Sequence, residues 1–524
     1  MAANGSVARP SSVALVIVLT LAIVGAVSIA RQGIIVPPLA PPEPAWASVG
    51  HDNAHTGHSR SLPVNGPITL LNRFVFNPGE SVAGSPAIDG GGNAYFVRQD
   101  RAIHALGKDG DTMWCYALQP ITDTTCTGSG SIVPVPLLGT VPSALAAPDR
   151  EVYVVGPFGQ FIRFDPTKAV PSYSISGSLV SSSGLVASKD RVLTDVHGVE
   201  PFFLYGVVRQ ASGRFAVTKL NQDGTRAAGW RDTLIRARQL TAVSVAPDGT
   251  PLVVATAPRV GAVATLYALS FGDGRVLWRV DLAPGYPSYA SVEGTTSGWV
   301  AWVAVNAQQQ SSVVVVDNKQ RKLWQRTIGH HVVVSNGGLA LAHPMWGRPA
   351  HNGLAYLSSD AGIYLFDLAH RRMGIFGLDA RLSTVGMPGA PVLDEGNNLY
   401  VGTSRGHVYA IAPSGRTLWR YDTGRDARFA VEPYPSDSTA VLVVSHDTRL
   451  NQDVVEKLGE GPGGLPVATG VAIACAAPDC PTATPTVTPT TVPTETSTPV
   501  PPTVTATSAP TAMPTATLPP VTAG

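Results

Sequence analysis

The sequence carries little charge and no surplus of either sign. Only 14% of its 524 residues are Asp, Glu, Lys or Arg, well under the roughly one quarter of an average globular protein. Lys plus Arg number 37 against 36 Asp plus Glu, so no net field draws the chain to nucleic acid, which is not expected as a partner. Cysteine is scarce too: Cys115, Cys126, Cys475 and Cys480 are the four, with no C-x-x-C pair and no His pair nearby at zinc-finger spacing, which argues against a zinc site. A C-x-x-C-H haem attachment sequence is absent as well.

What the chain has in abundance is turn chemistry between short apolar runs. Gly and Pro together reach 98 residues, and 44% of the chain is hydrophobic, enough for a core. A paragraph of four strand-like runs is written out eight times. One copy runs SPAIDGGGNAYFVRQDRAIHALGKDGDTMWCY from Ser85 to Tyr116, another APVLDEGNNLYVGTSRGHVYAIAPSGRTLWRY from Ala390 to Tyr421. Asp, Gly, Asn and Ser divide the runs, the signal for strands joined by tight turns. Third strands end at Gly107, Phe164, Leu220, Ser270, Val316, Phe366, Ala412 and Leu458, in steps of 46 to 57 residues. That is the period of a propeller blade. The expected fold is therefore all-β: an eight-bladed β-propeller of four-stranded blades. Blade three is read as RVLTDV, FFLYGVVRQ and FAVTKLNQDG. The eighth blade lacks a fourth strand, and Ile68 to Phe76 is an orphan strand ahead of the first, so the orphan is expected to close the ring. A Trp recurs on the outer strand at Trp114, Trp278, Trp324 and Trp419, with Trp230 a further candidate in blade three. Such residues read as packing between blades.

Flanking segments differ in composition. Ser12 to Ala30 is an uncharged apolar stretch of 19 residues, either an uncleaved transmembrane anchor or the core of a cleaved signal, with Ser28, Ile29 and Ala30 at plausible cleavage positions. Either way the bulk of the chain is expected to be extracytoplasmic, on a single-pass membrane protein or secreted. The domain reading is 1–31 anchor or signal, 32–45 Pro-rich linker, 46–459 propeller, 460–480 linker and 481–524 tail. The tail holds 16 Thr and 11 Pro in 44 residues with Glu495 its only charge; it cannot bury a core, and is expected to be disordered. In an oxidising compartment, Cys115 with Cys126 and Cys475 with Cys480 are expected as local disulfides.

The blade consensus, LYVGTSRGHVYAI followed by SG and LWRYDT, resembles the pyrroloquinoline-quinone-like repeat, which builds eight-bladed propellers in quinoprotein alcohol dehydrogenases and in an outer-membrane assembly lipoprotein. WASVGHDNAHTGHSR is similar to the stretch that precedes the first blade in such proteins. The resemblance covers about 410 residues. It implies a quinone between a Trp floor and a ring of two adjacent disulfide-bonded cysteines, over calcium held by Glu, Asn and Asp, with an Asp as base. This chain has no adjacent cysteines, so that clamp is absent and no cofactor is expected.

Other candidates for chemistry are read structurally. Asp89, Asp248, Asp394 and Glu395 fall in turns between first and second strands, where Asx side chains cap their own backbone. His51, His55 and His58 sit in a loop-like segment, His330 and His331 follow an outer strand, and His343 lies in a loop. Gly128, Ser129 and Gly130 form a flexible loop, and Gly90 to Gly92 a turn with no helix behind it to cradle phosphate. No catalytic, cofactor-binding or metal-binding residue is therefore assigned. The expected role is an exported scaffold binding a protein or an envelope polymer. The alternative is a divergent quinoprotein-like oxidoreductase or sugar-acting enzyme with its site at the channel mouth.

Overall fold

The computed structural model describes residues 59–460 apart from connecting segments, the longer ones being 118–143, 190–201, 343–352 and 377–385. The apolar stretch at 12–30, His51, His55, His58, Gly128, Ser129, Gly130, His343, Cys126, Cys475, Cys480 and the Thr/Pro-rich tail all lie outside the described residues. No described helix is long and apolar enough to cross a membrane. The chain separates into a unit spanning Met1–Ala472 and a second, Ile473–Gly524, that lies wholly outside the described residues.

Among the described residues, antiparallel pairing builds eight sheets along the first unit. The first runs Ala87–Ile88, Ala94–Val97, Ala102–Leu106, Thr112–Ala117, and the seventh repeats it as Val392–Leu393, Leu399–Gly402, His407–Ile411, Thr417–Asp422. Innermost strands of successive sheets touch one another in chain order from Ala87–Ile88 round to Asp426–Pro433, the arrangement of a propeller. Middle strands are covered on both faces by neighbouring sheets, which is why they read as unbroken apolar runs: Val313, Val314, Val315 and Val316 of the fifth sheet are all fully buried. Outer strands alternate instead, as Val276–Pro284 does.

The hairpin into each outer strand explains the repeated Gly. Strand register slips by one residue just before the turn, at Ala105/Leu106, Ala268/Leu269 and Ala410/Ile411, and the turn then needs a left-handed residue. Gly110 (φ 84°) and Gly274 (φ 76°) supply it, whereas Gln320 (φ 67°) takes the same place in the fifth sheet.

Ring closure follows the expectation. Ile68–Val75 pairs antiparallel with Gln452–Glu460 as the outer strand of the eighth sheet, with Leu70 opposite Leu458 and Phe74 opposite Val455. Residues 61–66 then thread against the seventh sheet: Val64, fully buried, donates its amide to the Tyr400 hydroxyl (3.0 Å) and accepts from the Trp419 indole (2.7 Å). Phe76, Val82 and the first sheet's Phe96 share one apolar cluster with Leu442 and Val455 of the eighth.

The third unit corrects the expectation of eight complete blades. Among the described residues, seven sheets fill all four strand positions, but the third, Leu185–Lys189, Phe202–Arg209 and Phe215–Leu220, has three. Its inner strand is Leu185–Lys189, while RVLTDV falls wholly within 190–201, outside the described residues. Where a fourth strand would run, residues 225–238 form a strap whose backbone bridges Phe215–Leu220 only at its ends, Leu220 to Arg226 and Phe215 to Ile235. Gly229 (φ 77°) turns the chain out of register between them. Trp230 sits on this strap rather than on a strand, and its indole donates to the Val217 carbonyl (3.0 Å), satisfying the edge that a backbone amide would have bonded.

The outer-strand tryptophans pack between sheets. Trp114 stacks on Phe164 of the second sheet at 5.5 Å, Trp278 on Trp299 of the fifth at 6.0 Å, and Trp324 meets Phe366 of the sixth edge-on at 6.0 Å.

Candidate functional site

Carboxylates at the first-to-second turns are filled by their own surroundings. Asp89 accepts from the amides of Gly91 and Asn93, the Asn93 side chain and the Tyr95 hydroxyl, at 2.8–2.9 Å. Asp394 repeats this with Asn398 and Tyr400, and burial pushes its pKa up against those donors. Asp248 takes the Thr250 amide on one oxygen and reaches to the fifth sheet's Trp299 indole (2.7 Å) with the other. The recurring Asp, then Asn four and Tyr six residues on, is thus one hydrogen-bonded turn used twice. Glu395 engages through its amide, which donates to the Ser61 carbonyl (3.2 Å).

The closing hairpin holds two further charged clusters that sequence reading missed. Asp453, fully buried, accepts from His446 Nδ1 at 2.6 Å and from the Val82 amide at 2.5 Å, and desolvation raises its pKa. A buried Asp orienting a His is a familiar acid–base pair. The hydroxyl next to it in sequence, Ser445, is occupied: it accepts from Arg425 Nε (3.0 Å) and donates to the Val454 carbonyl (3.4 Å). The pair instead ties Val82, ahead of the first sheet, to the last hairpin. Beside it, Glu456 is fully buried under Arg73 (2.6 Å) and Arg425 (2.8 Å). His330, for which no partner was legible, finds Asp360 at 3.1 Å.

Glu293, on the inner strand Ser291–Thr295 of the fifth sheet, is a carboxyl shifted toward neutrality. Burial pushes its pKa up to about 7, offset in part by the Trp302 indole (3.1 Å) and the Gly353 backbone. No charged group contributes to that shift, so its cause is lost solvent rather than a charged neighbour. A raised folded-state pKa means the native protein favours the protonated form: the stabilisation is full below the unfolded value of about 4.5 and is lost as pH rises to about 7. Glu293→Gln, which keeps the acceptor for Trp302, is therefore expected to match wild type at pH 4 and to exceed it by up to about 3 kcal/mol at pH 8. Denaturant titrations at the two pH values check this; equal stability of both proteins at pH 8 would refute a buried, destabilising charge.

Among the described residues no group of three His, Cys, Asp or Glu is placed to hold a metal ion. Among the described residues, the turn carboxylates offer no free set for a calcium–quinone site. The turn carboxylates are saturated by neighbouring donors, and the adjacent-cysteine clamp has no counterpart in the sequence.

No protein-family profile matches the sequence, and no curated protein matches it. Solved structures do. A quinohemoprotein alcohol dehydrogenase from Pseudomonas putida HK5 aligns over 80% of this chain and 82% of its own, at 13% identity and a TM-score of 0.51. The chain has the propeller fold of the quinoprotein dehydrogenases. A europium-containing methanol dehydrogenase aligns over 80% of this chain and 98% of its own, at 11% identity and the same TM-score of 0.51. BamB from Moraxella catarrhalis aligns over 75% of this chain and all of its own, at 14% identity and a TM-score of 0.46. At these identities the likeness concerns architecture alone.

Proposed function

We propose that this quinoprotein-type propeller is a non-catalytic scaffold, exported and tethered at its N-terminus, that binds a protein or an envelope polymer. The observation that supports the reading is the fate of the turn carboxylates: Asp89, Asp248 and Asp394 spend their oxygens on backbone amides, Asn, Tyr and Trp side chains, and no convergent set for a divalent cation stands among the described residues. The apolar stretch at 12–30 is the tether and the Thr/Pro-rich tail a stalk. Cys115, buried on the outer strand of the first sheet, pairs with Cys126, and Cys475 with Cys480, in an oxidising compartment.

One purification tests this. The full chain, supplied with pyrroloquinoline quinone and calcium, is expected to give no dye-linked oxidation of alcohols or aldoses, and non-reducing peptide maps are expected to show both cysteine pairs joined. Turnover abolished by chelator and restored by calcium would replace the scaffold with the oxidoreductase reading. Four free thiols would remove the support for export.

A further inference from the structure

The detour of residues 225–238 has a consequence for the neighbouring blade. A regular fourth strand in the third unit would lie along the flank of the fourth sheet; the strap instead anchors at one corner of it. The Arg231 amide donates to the Asp273 carbonyl (3.0 Å) and the Thr233 hydroxyl to the Gly274 carbonyl (2.9 Å). Beyond that corner the strap leaves a groove of about 560 Å³, with Leu234 and Arg236 on one wall and Tyr267, Trp278 and Arg279 on the other.

Two features make the groove a binding surface. Its walls are apolar and rigid: Leu234 is 46% exposed, and Trp278 is held in place by its stack on Trp299. Its charges are of one sign. Nearby Arg226 pairs with Asp232 and Arg275 with Asp273, and Arg238 leans on the Tyr286 ring. Arg236 and Arg279 line the groove exposed, without an ion-pair partner among the described residues. Guanidinium groups present forks that suit carboxylates, and arginine beside rigid aromatics is the composition of interface hot spots. The backbone edge of Phe215–Leu220 is partly covered, by the Ala227 amide, the Ile235 backbone and the Trp230 indole, which disfavours strand addition along it.

We infer that this groove docks a polypeptide segment that alternates acidic with aliphatic or aromatic side chains, the acidic groups on Arg236 and Arg279 and the apolar ones on Leu234 and Trp278. An anionic saccharide would answer the two arginines but leave the apolar wall uncovered. The chain's own tail does not qualify, because Glu495 is its only charge. The inference rests on the scaffold reading above.

Fluorescence anisotropy of the full chain with a labelled peptide alternating Asp with Leu and Phe is the test. Saturable binding is expected, weakened at least ~10-fold by the Arg236→Glu/Arg279→Glu double variant and by raised salt, with no binding of the same peptide carrying Lys for Asp. Both substituted side chains are exposed, so the variant is expected to keep the wild-type melting temperature, which verifies its fold. Leu234→Ser gives an independent readout, since it weakens binding without altering charge. Absence of saturable binding, or full binding by the double variant, overturns the groove while leaving the scaffold role standing. Displacement by polygalacturonate together with indifference to Leu234→Ser would assign the surface to a sugar polymer instead. Quinone-dependent turnover would sink the scaffold reading regardless of the groove.

Discussion

Removal of residues 1–76 is expected to abolish the cooperative unfolding transition, whereas removal of 1–58 or of 470–524 leaves the melting temperature almost unchanged. The segment from Ser59 to Phe76 supplies the outer strand of the eighth sheet and buries Val64, Ile68 and Phe76 against two neighbouring sheets. Losing three fully buried side chains and a whole ladder of strand hydrogen bonds costs on the order of 10 kcal/mol, comparable to the entire stability of an ordinary domain. It also bares the edge of Gln452–Glu460, so aggregation is expected alongside. Differential scanning calorimetry of the three truncations checks this; equal transitions for the 1–58 and 1–76 deletions would mean that the ring does not depend on its N-terminal strand.

The second large effect is expected at Glu456. Its carboxylate is fully buried between Arg73 on the closing strand and Arg425 on the hairpin from the seventh sheet, with the Tyr421 hydroxyl at 3.4 Å. Glu456→Ala leaves Arg425, 17% exposed, without its counter-charge, and is expected to cost about 3–5 kcal/mol. Arg73→Ala removes a side chain that is 45% exposed and leaves the second arginine in place, so about 1 kcal/mol is expected. Urea midpoints of the two variants decide; equal losses would show that Glu456 serves Arg73 alone.

Much of this architecture was legible before any coordinates. The period, the Asp-capped first turns, the packing tryptophans and the closing strand each come from a local rule repeated in register, and repetition lets a weak signal be read several times over. The third unit escaped because it breaks the repeat. Trp230 packs between blades as expected, buried against Tyr205 of the third sheet and in one apolar cluster with Leu269 of the fourth, but left-handed Gly229 carries its backbone away from the strand, and its indole fills the place of an amide. Nothing in the residue pattern distinguishes the two. Glu293 escaped for a different reason: its raised pKa comes from burial, which the Trp302 indole and the Gly353 backbone only partly offset, and only the tertiary structure creates that burial. His330 with Asp360 and Asp453 with His446 are likewise pairs brought together by hairpin and inter-strand geometry.

The partners that seal the ring stand far apart along the chain: Val64 bonds Tyr400 across 336 positions, and Asn65 bonds Glu460 across 395. A ribosome therefore finishes the first strand long before it makes that strand's mate. Until Glu460 has been synthesised, every earlier blade can form on local contacts, but the cylinder stays open at one seam, with Ile68–Val75 waiting as an unpaired ribbon. Closure is then a single late event paid for in loop entropy. The molecule's slowest folding step is expected to be this seam, and its greatest exposure to misassociation falls in the interval before the two ends of the chain meet.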